Sequence, residues 1–550
     1  MARTIAWLGA LFGLAAGTAP AQDALLSRAE ASRFEETSRY EDVTRFFGEL
    51  QKRSPLVRIT NFGTSHEGRA LPLVILADPP VAQPREAAAS GKPIVFIMAN
   101  IHAGEVEGKE AVQHFARRVA TGDLRPLLGK LVVLLAPIYN ADGNERISMN
   151  NRPSQNGPTG GVGTRENAQG LDLNRDYIKL ESPEARALIR LFSRWDPHLT
   201  VDLHTTDGSY HGYHLTYSVP LNPATEPRLA TFHRGTMMPA IGHAMLDRHG
   251  LRTYFYGNFT RSLPAEGSKL REWRAFTHQP RIGQNYVGLR NRLTILSEAY
   301  VHLDFKRRVE VTERFVEEIC RFAAANADAV RRVTREADEA TLREAASPAP
   351  FRVGIEHEMK PLPQPVDILV GEVTRVKNPQ SGRDMIAMVE DKFVKERMLD
   401  YGLFEATRSE PAARAYLVAA GPDTRAAVGK LHAHGIVVEE LTAPVTAEVE
   451  QFVVTVIKRA PRPFQGHREV QLAGSFKTEK LAFPAGTVVV RTAQPLGRLA
   501  ACLLEPASDD GLVTWNFLDA VLEVGKAAPV SKLMREQVLP TRTIPPTDER

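Results

Sequence analysis

Three short apolar runs in this chain each lead to a residue able to bind a metal or move a proton, and that recurrence narrows the folds open to it. The first is Ile94-Val-Phe-Ile-Met-Ala99, bounded by Pro93 and Asn100; Leu199-Thr-Val-Asp-Leu203 leads to His204, and Leu293-Thr-Ile-Leu-Ser297 leads to Glu298. Continuous apolar runs of this length read as strands buried on both faces, as in a parallel sheet covered by helices. In such sheets ligands and catalytic groups gather beyond the carboxyl ends of the strands. Just past the first run stand His102 and Glu105. An imidazole and a carboxylate three residues apart on one turn can grip a single cation.

The segments between these runs alternate in pattern. Residues 40–53 have helical spacing, 57–61 and 71–76 form an antiparallel hairpin across a polar turn, 107–119 is helical and 131–136 is a further strand. Residues 140–174 are rich in Asn, Gly, Pro and Arg without periodicity, and so long a loop inside a compact domain is usually functional. Ser182-Pro183-Glu184 has the form of a helix cap with proline at the first helical position, opening a helix to Trp195. Helical patterns recur at 229–249 and 305–334. The expected fold is α/β, a mostly parallel, mixed sheet flanked by helices.

A chain of 550 residues exceeds one ordinary core, so at least two domains are expected. The pattern changes after the alanine-rich stretch to 346 and Ser347-Pro-Ala-Pro350. Strand-like segments at 366–370, 437–441, 452–457 and 487–490, with helices expected at 411–419 and 426–434, make 350–540 a strand-rich α+β domain. His432 and His434 read as structural, and Asp509-Asp-Gly511 as a turn.

Residues 1–21 combine Arg3, an apolar stretch and Ala19-Pro-Ala21, the pattern of a cleaved secretory signal. This predicts an exported (secreted or periplasmic) protein whose catalytic domain spans 22–346. No later run reaches the roughly 20 apolar residues of a membrane span. Net charge is only +4, without a Lys/Arg cluster interleaved with aromatics, so no nucleic-acid partner is expected. The two cysteines, Cys320 and Cys502, lie in apolar helical or strand-like runs of different domains and read as buried thiols. Oligomeric state leaves no mark in the sequence.

His102-x-x-Glu105, the distant His204 and the late Glu298 together resemble the zinc carboxypeptidase family. Asn140-Ala-Asp-Gly143 is similar to the family's Asn-Pro-Asp-Gly, and Gly170-Leu-Asp-Leu-Asn-Arg175 to its Gly-Val-Asp-x-Asn-Arg. The resemblance covers roughly residues 35–335. It implies a carboxypeptidase-like fold and one Zn2+ per chain held by His102, Glu105 and His204, with water in the fourth position. It implies Glu298 as general base, Asp172 as the carboxylate orienting His102, and Asn174 with Arg175 clasping the free C-terminal carboxylate of a peptide substrate. The arginine polarising the scissile carbonyl is best matched by Arg152, with Arg165 competing.

Two departures stand out. Asp176 follows Arg175 where digestive members carry Asn, which predicts a more acidic pocket beside the clasp, and no tyrosine stands at the family spacing before Glu298. Three other readings share parts of the pattern. An aspartoacylase-type deacylase uses a similar site, a non-catalytic module could bind peptides, and two histidines with a carboxylate can hold iron(II). Glu298 and the Asn174-Arg175 pair have no task beside iron(II), and an intact Glu298 with all three ligands argues against a non-catalytic module.

Overall fold

The computed structural model describes residues 25–260, 270–378, 382 and 384–545. The expected signal, 1–21, lies outside them. Ten strands fall in the first 300 residues: β1 (Val57–Thr64), β2 (Ala70–Leu76), β3 (Ile94–Ala99), β4 (Val132–Ala136), β5 (Leu199–Thr206), β6 (Leu215–Ser218), β7 (Thr253–Phe255), β8 (Asn258–Phe259), β9 (Glu272–Arg274) and β10 (Leu293–Tyr300). Eight of them make one mixed sheet in the order β1-β2-β4-β3-β5-β10-β6-β7. The pairs β3/β4, β3/β5, β5/β10 and β6/β7 are parallel, while β1/β2, β2/β4 and β10/β6 are antiparallel. The expected hairpin is the β1/β2 edge.

Burial on both faces explains the apolar runs. Along β3, Val95, Ile97 and Ala99 point into one hydrophobic cluster and Ile94, Phe96 and Met98 into another. The first cluster is completed by the helices Tyr40–Arg53, Glu107–Thr121, Met238–His249 and Phe305–Ala325. The second takes in the helices Pro183–Trp195 and Gly283–Leu289, then continues into the C-terminal residues Tyr416, Leu431, Val490, Leu499 and Trp515. Apolar burial at about 25 cal/mol per Å2 therefore favours keeping the two halves together.

The C-terminal half is strand-rich. Its largest sheet has seven strands, from Val470–Phe483 and Val445–Arg459 at one side to Thr541–Thr543 at the other. The long hairpin Val366–Lys377 with Asp384–Tyr401 reaches back, and Asp384–Tyr401 pairs in parallel with β9. One sheet is thus built from both halves.

Three element expectations need correction. Residues 411–419 are not helical: Ala415–Val418 is a buried strand between Val488–Arg491 and Ala527–Leu533, since so short an apolar run carries no period that separates helix from strand. The helix expected over 305–334 breaks at Asn326, whose side chain donates to the Phe322 carbonyl, and a second helix, Ala327–Ala346, follows. The helix expected over 229–249 contains a π-turn at His233–Met237, just before Pro239, which has no N–H for the regular ladder.

Candidate active site

Asn100 ends β3 in the left-handed region (φ 67°), a conformation that Asn tolerates, and the chain then turns before the helix Glu107–Thr121. Within that turn the Glu105 N–H donates to the His102 carbonyl at 2.9 Å, which sets the two side chains on one side. Gly104 between them has a steric task. A Cβ there would stand 2.6 Å from Arg152 Cδ and 2.9 Å from the Gly163 carbonyl, so the 140–174 loop closes over the turn only because residue 104 lacks one.

His204 stands near the end of β5, and the parallel register of β10 puts Glu298 directly beside it. The three expected metal ligands converge. His102 Nδ1 lies 3.0 Å from Glu105 Oε1, and His204 Nδ1 lies 2.9 Å from Glu105 Oε2 and 3.2 Å from His102 Nδ1. Two imidazole nitrogens that close repel through their lone pairs unless a proton or a cation stands between them. The separations are near the roughly 3.4 Å between ligand atoms of tetrahedral zinc with bonds of about 2.1 Å. All three side chains are buried.

The far ring nitrogens also fit a metal site. His102 Nε2 is 3.1 Å from Asp172 Oδ1, and His204 Nε2 is 3.0 Å from Asp202 Oδ2. The Asp172 carboxylate behind His102 fixes the tautomer that leaves Nδ1 free for a cation, and Asp202 stands at ion-pair distance behind His204. Burial opposes ionisation of Asp172, but the His102 hydrogen bond and charge, with Arg165, hold its carboxyl far below the usual range. Glu105 behaves alike: burial works against its charge, and His102 and Arg152 outweigh it. Asp202 had a sequence signal that went unread, because residues i and i+2 of a strand share a face.

A cavity of about 230 Å3 opens onto this cluster and is lined by His102, Glu105, Arg152, Arg165, Asn174, Arg175, His204, Tyr256, Phe276 and Glu298 among others. Asn174 Oδ1 accepts from the Gly283 N–H at 3.0 Å, leaving its amide nitrogen as the donor it can offer. Arg175 donates to the Asn174 carbonyl at 2.7 Å, and among the described residues no carboxylate lies within 4.0 Å of its guanidinium. Arg152 donates to Glu105 Oε1 at 2.8 Å and takes a left-handed backbone (φ 47°), whereas Arg165 is held at Nε and Nη2 by Asp172. Burial, then the Glu105 charge, pushes the Glu298 carboxyl up to about 8 against the pull of His204, and its Oε2 is buried without a hydrogen-bond partner.

Two readings change. Asp176 does not acidify the pocket: it is fully buried, and its carboxylate accepts from Lys179 Nζ, the Glu181 and Ser182 N–H groups and Ser182 Oγ. Tyr256 is the tyrosine that reaches the cavity, while Tyr286 is bonded to His434 and Tyr254 to Asp400. No spacing pointed to it.

A family model described as zinc carboxypeptidase matches residues 43–249. Over that stretch the chain is similar to the zinc carboxypeptidase family. Within the matched stretch fall His102, Glu105, Asp172, Asn174, Arg175 and His204; Glu298 follows it and is brought to the site by the β5/β10 register. Carboxypeptidase D of Mus musculus is 30% identical over 206 residues, which are 33% of this chain and 14% of that protein. The chain thus spans a small fraction of that relative's length. Carboxypeptidase 2 of Trichophyton equinum is 23% identical over 498 residues, 85% of this chain and 81% of that one. Among solved structures, a metallo-carboxypeptidase from Burkholderia cenocepacia aligns with a TM-score of 0.40 at 19% identity, over 53% of this chain and 70% of that chain.

Proposed function

We propose that the protein is an exported zinc metallocarboxypeptidase that hydrolyses the C-terminal peptide bond of peptides with a free carboxylate. The observation that carries this reading is the single cavity in which Glu298, the His102/Glu105/His204 donor set and the Asn174-Arg175 pair face one another. On this reading residues 22–346 form the catalytic domain and 350–540 an accessory domain, with one Zn2+ at the His102, Glu105 and His204 site.

Zinc, when bound, would lower the pKa of a coordinated water to about 7 and polarise a carbonyl. The chain's own groups do the rest. Asp172 holds His102 through Nε2, so that Nδ1 faces the donor set. Arg175 and Asn174 bind the substrate's terminal carboxylate through charge-assisted hydrogen bonds, which sets the last peptide bond against Glu298. Arg152 steadies the negative charge that develops on the scissile carbonyl oxygen; its strained backbone supports that choice over Arg165. Glu298 takes one proton from the attacking water and returns it to the leaving nitrogen, so that hydroxyl ends on the acyl carbon and hydrogen on the amine as the C–N bond breaks.

Export rests on Ala19-Pro-Ala21, with Gln22 as the mature first residue. No helix among the described residues is long and apolar enough to cross a membrane. Digestion of a mixed peptide library by the zinc-loaded mature chain tests the function. Loss of single C-terminal residues, read by mass, is the expected result; internal cleavage, or release of acyl groups from N-acyl amino acids alone, contradicts it.

A further inference from the structure

A second group of ligand-type side chains lies away from the catalytic cavity, where three distant segments meet. His278 comes from the loop ahead of the helix Gly283–Leu289, His357 from the strand Arg352–Lys360, and Asp509 from the turn after the helix Gly497–Leu504. His278 Nε2 is 2.7 Å and His357 Nδ1 is 3.3 Å from the same oxygen, Asp509 Oδ2. The two imidazoles lie with ring centroids 4.0 Å apart.

We infer that His278, His357 and Asp509 form a second transition-metal site, suited to zinc, that ties the strand-rich half to the loop behind the substrate clasp. Four observations carry this. First, the His357 side chain is only 3% exposed, and its Nδ1 points at Asp509 without a satisfied hydrogen bond. An orphaned buried nitrogen costs free energy unless something binds it. Second, space for that ring is built in: a Cβ at Gly354 would stand 2.2 Å from His357 Nε2, so any other residue there would displace the imidazole. Third, the donor chemistry selects the ion. Two nitrogens and one oxygen suit zinc and its neighbours, whereas calcium and magnesium take mostly oxygen. Fourth, the Asp509 side chain is 23% exposed, which gives the ion an entry path and leaves a coordination position facing solvent. Asp510 next to it is not a competing ligand, because it is bound to Arg281 and to Trp515 Nε1.

The site bears on the catalytic cavity through one short segment. Phe276, two residues before His278, lines that cavity, and Gly283, five residues after it, donates to Asn174 Oδ1. A cation at His278 fixes this segment from behind. The competing description is a metal-free clamp in which Asp509 accepts hydrogen bonds from both rings.

Co2+ titration of the full-length His204→Ala chain, followed by calorimetry, separates the two, because the catalytic donor set is disabled there and no activity is read. One Co2+ per chain should bind to His204→Ala and be lost when His357→Gln is added, with the far-ultraviolet spectrum unchanged. Elemental analysis gives an independent reading: two zinc ions in the wild-type chain, one in His357→Gln and one in His204→Ala. No Co2+ bound by His204→Ala, equal binding with and without His357→Gln, or a wild-type chain that saturates at one zinc lost with His204 overturns the site and leaves the hydrogen-bonded clamp. Failure of the proposed peptidase activity would touch none of these readings.

Discussion

Glu298 and His204 sit side by side in a parallel register, so the proposed base and a proposed metal ligand share one buried wall. If Glu298 is the base, Glu298→Gln keeps the zinc content and lowers kcat by about 10² to 10⁴ on a peptide substrate. Its pH dependence follows in sign. Burial and Glu105 push its pKa from 4.5 up to about 8 before any cation is considered, and a cation pulls it back. Activity needs the ionised form, so the acid limb of kcat/KM should fall between about 4.5 and about 8, with loss as pH drops through it; a limb below the ordinary carboxylate range would contradict the burial argument. Asp202, 3.0 Å behind His204, gives a second test: Asp202→Asn should weaken zinc binding by about 10- to 100-fold, measured by competition with a chelator. His102, Glu105, His204 and Glu298 were legible because each ends or follows an apolar run. Asp202 was legible in principle from strand alternation. Tyr256 was not, since β8 and β9, which join another sheet, lie between it and Glu298 and erase any fixed spacing. Asp176 was misread because the 3-10 turn Leu173–Arg175 sends adjacent side chains in different directions.

Elements with a strong local signal were read from sequence nearly residue for residue. The helix Tyr40–Arg53, the β1/β2 hairpin and the cap at Ser182 all depend on periodicity or turn chemistry within a few residues. Ser182 Oγ accepts from the Ala185 N–H at 3.0 Å and donates to Asp176 at 2.7 Å, so the cap also anchors the carboxylate next to the proposed clasp. Ser182→Ala should therefore cost about 1 to 2 kcal/mol, seen as a lower urea midpoint, because a capping bond is lost and a buried carboxylate loses a donor. An unchanged midpoint would mean that Asp176 is satisfied by its other donors alone. Where partners are distant in sequence, the local pattern misled: Ala415–Val418 is a strand only because Val488–Arg491 and Ala527–Leu533 flank it. The back-pairing of Asp384–Tyr401 with β9 left no local trace at all.

At the scale of the molecule, histidines in both halves are buried or half-buried and held neutral. Burial drives His198 and His233 down to about 4 and His211 and His434 down to about 3, and His434 sits where Tyr286 and the Ile178 carbonyl meet the C-terminal half. Their folded pKa lies below the unfolded value near 6.5, so between the two values the unfolded chain binds protons that the native one refuses. Stability is full above about pH 6.5 and falls as pH drops toward 4, each group adding about 1.4 kcal/mol per pH unit to the slope. The Tm should fall accordingly, and His434→Gln, which cannot titrate, should lessen the slope; a flat profile would contradict neutral burial. The central claim, that Arg175 and its neighbour read a free C-terminus, is tested most directly by comparing kcat/KM on a peptide with a free carboxylate and on the same peptide amidated. The wild-type chain should lose most of its activity on the amide, consistent with a clasp worth about 2 to 5 kcal/mol, and Arg175→Ala, already slow on the acid, should lose little more. Equal wild-type rates on the two peptides would contradict the carboxypeptidase reading.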